Sequence, residues 1–123
     1  MAIQPGAPGL THLRVTLTDS FYVGPGRADL LEGIAETGSI AAAGKRMGMS
    51  YKRAWSLVQA LNAGFGAPLV ETSRGGAEQG GAKLTADGTF VLARYRAMQA
   101  ATRNAIAADV EALAARLDMS GRK

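Results

Sequence analysis

Apolar and polar residues alternate with a period of two between Leu10 and Leu17. Leu13, Val15 and Leu17 interleave there with His12, Arg14 and Thr16, the pattern of a half-buried strand. Asp19 and Ser20 punctuate its end, and Gly24-Pro25-Gly26 predicts a sharp turn. The period then changes. From Arg27 to Thr37 the apolar Leu30, Leu31 and Ile34 share one helical face, while Asp29, Glu32 and Glu36 fall largely on the other. Gly38 is placed to stop that helix. Ser39 reads as the N-cap of a short second helix, Ile40 to Met47. Gly48-Met49 breaks it, and Ser50 caps a third helix that runs to about Asn62 or Ala63.

Gly64, Gly66 and Pro68 end the third helix, and Leu69 to Ser73 is a short strand. The glycine-rich stretch from Arg74 to Gly81 has too little side chain for any core element, and Ala82 to Leu84 pairs back. Residues 69–84 therefore form a hairpin. Thr85 then caps a long helix over about 85–117, with Asp87 at the positive end of its dipole. Within it Ile106, Val110, Leu113 and Leu117 are spaced four, three and four, as in the seam of a coiled coil. Residues 1–9 read as a loose lead-in and Met119 to Lys123 as a short tail. No repeat or linker divides the chain, which reads as one domain spanning 1–123.

Composition narrows the chemistry. The chain has 123 residues with 47% hydrophobic and 20% charged, ordinary for a globular domain. It has no cysteine and a single histidine, His12, which excludes disulfides, thiolate catalysis, Cys-ligated metals and His-dependent triads. His12 itself reads as a surface or dimer-edge residue. The N-terminus lacks the basic and apolar regions of a signal peptide, and the longest uncharged stretch, Ala54 to Val70, is interrupted by polar residues, glycine and proline. The expectation is a cytoplasmic protein with no membrane partner and no cofactor.

The net charge of +4 is informative once mapped. Between Ser39 and Lys83 lie Lys45, Arg46, Lys52, Arg53, Arg74 and Lys83 against Glu71 and Glu78, so the whole excess sits in the middle third. That points to an anionic partner for this segment. The same segment has the makings of a helix-turn-helix. Ala42, Ala43 and Gly44 permit a close helix crossing, Gly48 supplies the turn, and Met47 and Met49 pack beside it. On the third helix Ala54, Leu57, Val58 and Leu61 form one buried face, with Trp55 flanking it and expected to pack beneath the hairpin or against the first helix. Tyr51, Lys52, Arg53, Ser56 and Gln59 are left outward, suited to base edges and phosphates, and Arg53 is matched to guanine. Ser39 and Ser50 begin helices whose N–H groups suit phosphates. The hairpin after the third helix is then a wing, with Arg74, Gly75, Gly76 and Lys83 tracking the backbone of the nucleic acid.

The stretch GSIAAAGKRMGMS is similar to the helix-turn-helix of LysR-type regulators. The continuation SYKRAW, the two glycine pairs of RGGAEQGGA and the LTADG opening resemble, more narrowly, the N-terminal DNA-binding domain of ModE-type molybdate-responsive transcriptional regulators. The resemblance runs from about Leu13 to Met98. It implies a winged helix-turn-helix that dimerises through the first strand and the long last helix and binds a palindromic operator. Full-length family members also carry C-terminal molybdate-binding domains with a Ser-Ala-Arg-Asn type motif, which these residues lack. The expectation of DNA binding carries over; that of molybdate binding does not.

The expected fold is thus mainly α with a small β-hairpin wing, a winged helix-turn-helix with a long C-terminal dimerisation helix. The expected DNA-facing residues are Ser39, Lys45, Ser50, Tyr51, Lys52, Arg53, Ser56, Arg74, Gly75, Gly76 and Lys83; the expected dimer seam is Ile106, Val110, Leu113 and Leu117. An exposed apolar stripe of that length favours a second copy of the chain as its cover. The carboxylate pairs Asp87 with Glu78 and Asp109 with Glu111 lack any sign of a pocket or oriented base, so an enzyme is not expected. GGAEQGGAK also lacks the spacing and terminal Lys-Ser/Thr of a phosphate-binding loop. Two other functions fit the pattern: a non-specific nucleoid-type DNA binder, and an oxyanion-binding or protein-interaction module on the same fold.

Overall fold

The structure is a computed structural model that describes residues 9–73 and 81–118. In chain order it runs β1 (Val15–Thr18), β2 (Phe21–Val23), α1 (Pro25–Thr37), α2 (Ile40–Arg46), α3 (Tyr51–Gly64), β3 (Val70–Thr72), β4 (Ala82–Leu84) and α4 (Ala86–Ala114). The two antiparallel sheets have two strands each, β1 with β2 and β3 with β4. Helices dominate, and β3–β4 follows α3 as the wing.

The helix boundaries follow from local chemistry. Gly38 adopts φ 73°, ends α1, and returns its N–H to Ile34 O. The Ser39 hydroxyl accepts from Ala42 N and opens α2. Gly48 takes φ 72° in the turn, and the Ser50 hydroxyl accepts from Arg53 N to open α3. Thr85 caps α4 in the same way, accepting from Gly88 N. Close approach of the three short helices rests on small residues. A Cβ built on Gly33 meets Ala43 Cβ at 2.9 Å, and one on Gly44 meets Ala54 Cβ at 2.9 Å. Both crossings would have to open for a larger side chain.

Leu30, Leu31, Ile34, Ile40, Ala43, Ala54, Val58, Leu61, Leu69, Val70 and Ala82 form the main core, joining α1, α2, α3 and the wing. Val23, Ala28 and Tyr95 form a second cluster, with Leu13 and Val15 packed against it. Phe65 and Leu92 touch both clusters and tie them together. The helix-turn-helix and the base of α4 are therefore held by continuous packing.

Three readings need correction. The strand expected over Leu10 to Leu17 is β1, begins at Val15, and pairs with a second strand, β2, that the alternation did not reveal. Leu17 is exposed, because the second cluster reaches Leu13 and Val15 and stops short of it. Gly24-Pro25-Gly26 is not a free-standing turn: Gly24 is the N-cap and Pro25 opens α1, where its missing N–H costs nothing. The long helix ends at Ala114, so Leu117 lies beyond its last residue. One contact that periodicity does not show is Arg96 of α4, which reaches both Asp29 and Glu32 of α1, at 2.8 and 2.7 Å.

Candidate nucleic-acid interface

The α3 helix is seated by its buried residues Ala54, Val58 and Leu61, with Leu57 half-buried, as the spacing predicted. That seating turns Lys52, Arg53, Ser56 and Gln59 to the surface. Ser50, Lys52, Arg53, Ser56 and Leu57 line a concavity on this face. Lys45, in the last turn of α2, is also exposed. Among the described residues Arg46 pairs with Glu36 and Arg96 with Asp29 and Glu32, whereas Lys45, Lys52, Arg53 and Lys83 hold no ion pair. Their charge is available to an anion.

The two capping serines differ. Ser50 spends its hydroxyl on Arg53 N, at 3.1 Å, while helix geometry leaves the N–H groups of Tyr51 and Lys52 without an intrahelical acceptor. Ser39 is half-buried, its hydroxyl accepts from Ala42 N, and it donates its own N–H to the Thr37 hydroxyl at 3.2 Å. Its N–H is thus already committed within the fold.

The wing is held from both sides. The Asn62 side-chain amide donates to Val70 O at 3.1 Å and accepts from Leu69 N at 2.8 Å and Val70 N at 3.1 Å. On the other edge Ala82 N donates to Gly38 O at 2.9 Å. Asn62 carries this anchoring role because an amide both donates and accepts, which satisfies three backbone groups at once. Lys83 is exposed on β4, opposite Glu71 in the register. Arg74, Gly75 and Gly76 lie outside the described residues.

Trp55 departs from expectation. It is 38% exposed and stacks on Tyr51, itself 56% exposed, with ring centroids 6.4 Å apart and planes 21° from parallel. It belongs to neither core cluster, because Ala54, Val58 and Leu61 already fill the inward face of α3. The sequence did carry a signal: Tyr51 and Trp55 are four residues apart, hence side by side on a helix.

On α4 the first half is buried around Tyr95 and Gln99, and the second half is not. Ile106 and Val110 are half-buried, while Leu113 is 72% and Leu117 53% exposed. Gly9, before the first strand, lines a hollow beside Val110, and Leu113 and Leu117 are left exposed. No helix of the described residues is long and apolar enough to cross a membrane.

Comparison with known proteins agrees with this geometry. The chain is 46% identical over 78 residues to the molybdenum-pterin-binding protein MopB of Rhodobacter capsulatus, covering 63% of this chain and 29% of that one. It is 37% identical over 83 residues to the DNA-binding transcriptional dual regulator ModE of Escherichia coli (strain K12), covering 68% and 32%. It spans about a third of the length of such curated relatives. Among solved structures, the CbnR DBD–DNA complex superposes with a TM-score of 0.55 at 31% identity, covering 73% of this chain and 95% of the other. Residues 27–89, from the start of α1 into α4, match the sequence pattern of one family along about half of the chain. The chain belongs to the bacterial regulatory helix-turn-helix proteins of the lysR family.

Proposed function

We propose that the chain binds double-stranded DNA in a sequence-specific manner, as a dimeric transcriptional regulator rather than an enzyme. The observation that carries this reading is the outward face of α3. Lys52, Arg53 and Ser56 stand exposed and unpaired around a concavity, on a helix whose other side is locked into the core. Guanidinium and ammonium groups on such a helix suit guanine edges and phosphates in a major groove. Lys45 and Lys83 are further exposed cations with no ion pair among the described residues, which suit the phosphate backbone. The likeness to the CbnR DBD, solved on DNA, supports the same reading.

Ile106, Val110, Leu113 and Leu117 form the dimer seam, supported by their four-three-four spacing and by the exposure of Leu113 and Leu117 at its far end. Two-fold symmetry then sets two α3 helices on successive major-groove faces. Genes concerned with molybdenum are the proposed targets, on the strength of the names of the MopB and ModE relatives. The test is selection of genomic fragments by the purified protein at physiological salt. A recovered palindrome with half-sites about one helical turn apart supports the proposal. Recovery without sequence preference makes the protein a general DNA binder instead. No recovery moves the weight to a protein or oxyanion partner.

A further inference from the structure

The exposed aromatic pair on α3 is not explained by folding. Tyr51 and Trp55 stack outside both core clusters, and an indole that is 38% exposed keeps unfavourable apolar contact with water. Their place on the helix is informative. Residues four apart lie about 40° apart around the axis. The pair therefore borders the buried line of Ala54 and Val58 on one side and the polar line of Lys52 and Ser56 on the other. Asn62, which grips β3, falls on the same flank further along. The aromatic edge thus lies next to Lys52 and Ser56, on the same flank of α3 that carries the wing anchor Asn62.

Mutual stacking restricts both rings, so an apolar ligand group meets a surface that is already ordered. In a major groove the apolar group displayed by the bases is the C5-methyl of thymine. Free cations next to the aromatic edge fit a polyanion that presents such methyl groups better than they fit a purely apolar partner. Resting on the proposal that α3 enters a major groove, we propose that the Tyr51–Trp55 stack is a specificity-determining edge that recognises thymine methyl groups beside the bases met by Lys52 and Arg53.

The test removes methyl groups one at a time. Each thymine of the duplex recovered by selection is replaced singly by deoxyuridine, which keeps the hydrogen-bonding edge intact, and affinity is measured for the full chain. At one or two positions in each half-site the parent protein is expected to lose about three- to fivefold, the scale of burying one methyl group. Trp55→Ala is expected to bind the thymine duplex more weakly and to show no uridine penalty at those positions, while Trp55→Phe retains it. Trp55 is the single tryptophan of the chain, so its fluorescence supplies a second readout without any substitution. Acrylamide quenching of the parent should fall when the selected duplex binds, and fall less on its uridine counterpart. Selective binding with no uridine penalty anywhere overturns this inference alone. A penalty that persists unchanged in Trp55→Ala, or an indole equally accessible with and without DNA, overturns it too. Failure to bind any duplex selectively overturns the DNA reading together with this one.

Discussion

Tyr95 shows how one side chain can join two parts of the molecule. Its ring is buried against Val23 and Ala28, and its hydroxyl donates to Leu13 O at 2.6 Å, tying α4 to the segment before β1. Burial raises its phenol above the ordinary value, partly opposed by the neighbouring Arg96 charge. The unfolded chain therefore gives up this proton first as alkali is added, and stability contributed by the neutral phenol is lost as pH climbs from about 10 upward. Tyr95→Phe is expected to lower stability by about 1–2 kcal/mol at neutral pH, by stranding the Leu13 carbonyl, and to flatten that alkaline decline. Urea unfolding of both proteins from pH 8 to 11 checks both effects. Lys83 makes a different prediction. Lys83→Ala should weaken unrelated duplexes alike and reduce the salt slope of binding by about 1, measured by fluorescence anisotropy at several salt concentrations. At this scale the sequence was legible where a residue's role is local. Ser39, Ser50 and Thr85 are caps because a short hydroxyl beside a helix start has one obvious partner. The Arg96 bridge to Asp29 and Glu32 was not, since its partners lie far away in the sequence, and the exposure of Trp55 was not, since its spacing from Tyr51 shows a neighbour without showing that the inward face is already filled.

At the scale of elements, the joint between the wing and α4 leaves no room for a side chain at Gly88. A Cβ on Gly88 would collide with the carbonyl oxygen of Leu69, and backbone cannot swing aside as a side chain can. The same joint is closed by Thr85 N to Leu69 O at 2.9 Å and by the Thr85 hydroxyl to Pro68 O at 2.8 Å. Gly88→Ala is therefore expected to cost about 1–3 kcal/mol, read as a lowered midpoint in thermal unfolding, although alanine is the better helix former. Helix ends were readable from Gly38 and Gly48, both at positive φ in the structure. The short strand β2 was not readable. Its three residues Phe21, Tyr22 and Val23 are too few to show a period, and it exists by pairing with β1. Arg27 adds to that corner, its guanidinium lying 4.2 Å from the Tyr22 ring centre and donating to Tyr22 O at 3.0 Å. A cation stacking on a ring in the preceding element leaves no mark in hydrophobic periodicity.

Across the whole molecule, the two halves of α4 divide the work. The proximal half is buried against α1 and the β1–β2 sheet, and the distal half offers Ile106, Val110 and Leu113, with Leu117 just beyond. The four-three-four spacing was visible in the sequence, but only the structure separates the covered part of the helix from the uncovered part. Because Leu113 is 72% exposed, Leu113→Glu should leave protomer stability within about 0.5 kcal/mol of the parent. The same change is expected to convert the dimer to monomer in sedimentation velocity and to weaken binding to a two-half-site duplex. The central claim is that the outward face of α3 reads DNA sequence, and Arg53 tests it most directly. The decisive measurement titrates the selected duplex and a scrambled duplex of equal composition with the parent protein and with Arg53→Ala at physiological salt. Arg53→Ala is expected to lose about 1–3 kcal/mol on the selected duplex, with little change on the scrambled one and hence a reduced ratio between them. Equal affinity of Arg53→Ala and the parent for the selected duplex would contradict the claim.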